Sequence, residues 1–161
     1  MINLREHQNA TAQAVELLTG GQLDQLKISS IFLCLGFYFK NRGGKPSSYL
    51  WLNISGHVHL MQNHDSKNSF SGGVDDFYKF RLTAISELYS SIGEVCSKVS
   101  VFENGEMRID IGQKSFVIVQ DGDDEESWVI CGERYQSDES EWYLAYQSEH
   151  GVIFNDAKLN D

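Results

Sequence analysis

The chain has 161 residues, of which 22% are charged and 12% aromatic, with one proline and a formal net charge of −10. That length suits one domain burying about 70% of its unfolded surface, and the composition excludes disorder and Pro-rich linkers. The acidic balance repels phosphate backbones, so no nucleic-acid partner is expected. The first residues, MINLREHQNATAQ, lack the apolar core of a signal peptide. The longest apolar run, Ile31 to Phe39, is about half of what a bilayer crossing needs. Cys34, Cys96 and Cys131 are odd in number and form no CxxC pair, which favours reduced thiols. The expectation is a cytoplasmic protein with no membrane partner.

In chain order, Ala10, Ala14, Leu17 and Leu18 make a short helical stripe that stops at Gly20-Gly21, where a left-handed residue is wanted. Alternation follows through Leu23, Leu26, Ile28 and again through Leu33, Leu35, Phe37, which predicts strands. SYLWLNISGHVHLM alternates over its full length. Leu50, Leu52, Ile54, Val58 and Leu60 take one face, Trp51, Asn53, Ser55, His57 and His59 the other, with Gly56 as a bulge or bend. A second helical stripe comprises Phe77, Phe80, Arg81, Ala84, Ile85 and Leu88, with Asp75 and Asp76 near its positive N-terminus. Gly93 ends it, and Val95, Val99 and Val101 lead to Asn104-Gly105, the strongest hairpin signal in the chain. Met107, Ile109 and Ile111 return from that turn. Further strands are predicted at Phe116–Val119, Trp128–Cys131, Trp142–Ala145 and Val152–Phe154. The order is α-β-β-β, then α-β-β-β-β-β. This implies an α+β fold, a largely antiparallel β-sheet with two helices on one face, built from two similar αβββ halves. Residues 1–161 form a single domain on this reading, with a weak internal repeat over 10–62 and 74–132 and C-terminal strands within 139–155.

The charge is not spread evenly. Residues 1–102 hold nine Lys/Arg against eight Asp/Glu, whereas residues 103–161 hold four (Arg108, Lys114, Arg134, Lys158) against fifteen. Balances of +1 and −11 make up the −10, so the imbalance belongs to the last third. Its densest stretch is DGDDEESW, Asp121 to Trp128. DDEESW recurs loosely as SDESEW fourteen residues later, a spacing that suits one strand plus its turn and would put both acidic turns at one sheet edge. Trp128 and Trp142 lead apolar strands and are expected in the core. Asp121, Asp123, Asp124, Glu125, Glu126, Asp138, Glu139 and Glu141 are candidate steering charges for a basic partner, with Tyr135 or Tyr143 as exposed anchor.

Other chemistry is less well supported. His57 and His59, at i and i+2 on a strand, aim to one side as a metal site requires, and His64 with Asp65 would complete four ligands. The same alternation also makes them ordinary polar positions. Cys34 and Cys131 sit in apolar runs as filler. Cys96 is expected to point away from the core, with only Lys98 as a local basic neighbour. NRGGKPSS lacks the spacing of a phosphate-binding loop and leads into no helix, so Lys40, Arg42 and Lys45 belong to an exposed basic turn.

The stretch IGEVCSKVSVFENGEMRIDIGQKSFVIVQDGDDEESWVICG joins a glycine step, a spaced apolar strand, an Asn-Gly turn and acids leading into Glu-x-Trp. It resembles a small bacterial family of immunity proteins that accompany polymorphic or contact-dependent growth-inhibition toxins, chiefly over Leu88 to Gly132. The resemblance implies a cytoplasmic toxin inhibitor that acts by protein–protein contact, with no enzymatic activity and no cofactor, on a cognate toxin domain that is basic when it is a nuclease. The alternative is a small enzyme or metal-binding domain centred on His57, His59 and His64.

Overall fold

A computed structural model describes residues 4–29, 32–40, 47–61, 74–119, 126–132, 142–147 and 151–156. Helix α1 (Leu4–Leu18) buries Ala10, Ala14 and Leu18, one residue per turn at i, i+4 spacing, and α2 (Val74–Ser90) buries Ala84 and Leu88 in the same way. Small residues on these stripes let each helix lie close to the sheets. Each helix is followed by a glycine with positive φ, Gly20 (86°) two residues past Leu18 and Gly93 (96°) three residues past Ser90. The last carbonyls are satisfied locally: Thr19 Oγ1 donates to Val15 O at 2.6 Å and Ser91 Oγ to Glu87 O at 2.8 Å.

The strands are β1 (Gln22–Ile28), β2 (Leu33–Lys40), β3 (Ser47–Ile54), β4 (His57–Met61), β5 (Cys96–Val101), β6 (Met107–Ile111), β7 (Lys114–Val119), β8 (Glu126–Cys131), β9 (Trp142–Gln147) and β10 (Gly151–Asp156). They build two sheets with every named pair antiparallel, a six-stranded one ordered β1-β2-β3-β8-β9-β10 and a four-stranded one ordered β4-β7-β6-β5. The α+β class with two helices and antiparallel sheets is therefore as the sequence implies. The single sheet is not. Each half contributes a helix, a three-stranded meander and a fourth strand that crosses over: β4 joins β7 of the second half, and β8 joins β3 of the first.

The crossing occurs at Gly56. SYLWLNISGHVHLM is not one bent strand but two, in different sheets, divided at Ser55-Gly56. The Ser55 and Gly56 N–H groups both donate to Ser127 O, at 3.1 and 3.0 Å. A side chain at Gly56 would meet the Val119 carbonyl oxygen. Unbroken alternation hid the break, because both strands bury the same parity of residues.

The two halves also touch where they begin. Gln22 bridges Val95, and the flanking hydrogen bonds form two exchange-related pairs. Gly20 N–H donates to Cys96 O and Gly93 N–H to Leu23 O, both at 2.7 Å, while Cys96 N–H donates to Gly21 O at 2.7 Å and Leu23 N–H to Glu94 O at 2.9 Å. Exchanging Gly20 with Gly93, Gly21 with Glu94 and Leu23 with Cys96 turns each bond into its partner. Cys96 thus occupies the place of Leu23 and is buried, against the outward orientation expected of it.

One core draws on both sheets and both helices. α1 packs on β5 and β10, and α2 on β4. Arg81 Nη2 ties α2 to Ser29 O at 2.7 Å, and Lys114 Nζ meets Glu87 Oε2 at 2.6 Å. A second small cluster lies on the other face of the six-stranded sheet, with Cys34, Trp51 and Cys131 buried and Phe32 and Tyr49 against them. Trp51, placed on the polar face by alternation, is only 5% exposed, with the Lys27 ammonium 4.2 Å from its ring centroid.

Candidate functional site

The acidic third of the chain is anchored on β8. Glu126 opens that strand and pairs with Gln147 of β9, and a register shift follows between Glu126 and Val129. The shift places Ser127 and Trp128, consecutive residues, both inside the protein. Trp128 is fully buried, its indole N–H donating to Gly105 O at 2.9 Å, with the Tyr146 ring 6.5 Å away. The tryptophan after the acidic run is thus a core residue, holding the turn of the β5–β6 hairpin against the six-stranded sheet. Tyr143 pairs with Cys131 on one side and Asn155 on the other.

Of the remaining candidates, Asp121, Asp123, Asp124, Glu125, Tyr135, Asp138, Glu139 and Glu141 lie outside the described residues, as does the Trp142 side chain. The shared sheet edge expected from the fourteen-residue echo falls on these same segments and likewise lies outside the described residues.

The histidines stand on the outer face of the four-stranded sheet. His57 pairs with Val119 and His59 with Val117, which in turn pairs with Arg108. Their ring centroids are 6.3 Å apart. Burial, and secondarily the neighbouring His57, lower the His59 pKa, and Glu106 opposes them in part. Arg108 Nε holds Glu106 Oε1 at 2.9 Å and stacks its guanidinium 4.8 Å from the Phe102 ring centroid. The pair does aim to one side, as i, i+2 spacing requires. Among the described residues, however, no three His, Cys, Asp or Glu gather where they would hold a metal ion, and His64 and Asp65 lie outside the described residues.

All three cysteines are buried thiols outside any disulfide. Burial, with Asp110 nearby, pushes the Cys96 thiol up to about 12, the reverse of what a nucleophile needs. Cys131 Sγ accepts from Asn53 Nδ2 at 3.6 Å within the small outer cluster.

One feature escaped the sequence reading. Leu82, Tyr89, Ile92 and Val95 are large, apolar and exposed. Leu82 and Tyr89 fall off the α2 stripe of Ala84, Ile85 and Leu88, so helical spacing alone separates them from the core. Compared with protein-family models, with curated proteins and with solved structures, the chain finds no match in any of the three.

Proposed function

We propose that this chain is a cytoplasmic immunity protein that binds a basic bacterial toxin domain and neutralises it by contact. The observation that carries this reading is the segregation of charge, a balance of −11 in residues 103–161 against +1 in the rest. A charge difference of that size along one small chain favours steering of a cationic partner, raising association up to ~10⁸–10⁹ M⁻¹s⁻¹ at low salt. Nuclease toxins are cationic because they must hold phosphates, and an acidic inhibitor occupies that surface as a mimic of the substrate's charge. Rapid capture is one half of inhibition. Slow release, the other half, requires desolvated anchors.

The test starts from the neighbouring gene: if it encodes a large secreted protein with a variable C-terminal domain, that domain is co-expressed with this chain. Cells making that domain should survive only when the chain is present, and the purified pair should associate more slowly as salt rises. Survival without the chain, or association indifferent to salt, would remove the reading.

A further inference from the structure

We draw no further inference here: the strongest candidate, the pair of His57 and His59 on the outer face of the four-stranded sheet, with ring centroids 6.3 Å apart, gathers no third His, Cys, Asp or Glu that would hold a metal ion among the described residues.

Discussion

Gly105 joins the two sheets through a single peptide. Its φ is +81°, its carbonyl takes the Trp128 indole, and an added Cβ would run into the Tyr146 ring. Gly93 has the same kind of backbone, at +96°, but open space around it. The two sites separate strain from crowding. Gly93→Ala should cost about 1–2 kcal/mol, the penalty of a left-handed residue alone, and Gly105→Ala about 3 kcal/mol, because displacing the Tyr146 ring adds to it. Urea unfolding measures both, and equal losses would mean that Tyr146 yields without cost. His59 gives a pH dependence of defined sign. Its folded pKa lies below the ordinary 6.5, so the unfolded chain binds more protons through that window and stability falls as pH drops below about 6.5. His59→Gln should flatten the fall in urea midpoint between about pH 6.5 and 5; an unchanged slope would assign it to the carboxylates.

Among the elements, β8 carries the acidic sequence and the core tryptophan at once. Its register shift turns Ser127 and Trp128 inward, and the packing of the strand is carried by these two residues with Ile130 and Cys131. Neutralising Asp123, Asp124, Glu125 and Glu126 together to Asn and Gln should leave the unfolding free energy within about 0.5 kcal/mol of wild type or raise it slightly. Stopped-flow mixing with the toxin domain should give slower association and a flatter salt dependence, with dissociation nearly unchanged, since rim charges act on encounter. Association at the wild-type rate in low salt would reduce DGDDEESW to a solvated turn.

For the whole molecule, the exchanged strands matter most. Each half sends its fourth strand into the other's sheet, and the hydrogen bonds beside Gln22 and Val95 repeat under the same exchange. A chain cut between Met61 and Val74 leaves β4 without β7 in one piece and β8 without β3 in the other. Each fragment should give little near-ultraviolet circular dichroism alone, and an equimolar mixture should recover the cooperative signal of the intact chain, because each exposes the edge and apolar face that the other fills. A second fragment that folds fully by itself would show that β8, β9 and β10 need no neighbour.

The sequence by itself determined what depends on neighbours in the chain. Both helices, the glycines that follow them, the Asn104-Gly105 hairpin and the inward faces of Leu33, Leu35, Phe37 and of Met107, Ile109, Ile111 were legible, because spacing and turn chemistry are local. So was the acidic last third. The exposure of Leu82 and Tyr89 was legible too, since both stand off the stripe of Ala84 and Leu88. Ile28 and Val95, read in the same alternation as Leu23 and Val99, are exposed, and register shifts interrupt the pairing of both strands. Tertiary structure alone decided the rest. Alternation runs through Gly56 without a fault, yet the Ser127 carbonyl and the space beneath Val119 divide that run between two sheets. Cys96 turned inward because it completes the core position that Leu23 fills across the junction, and Trp51 was buried by a second cluster on a face that period-two patterning marks as polar. Periodicity records which side of its own strand a residue takes; what lies against that side is set by segments distant in the chain.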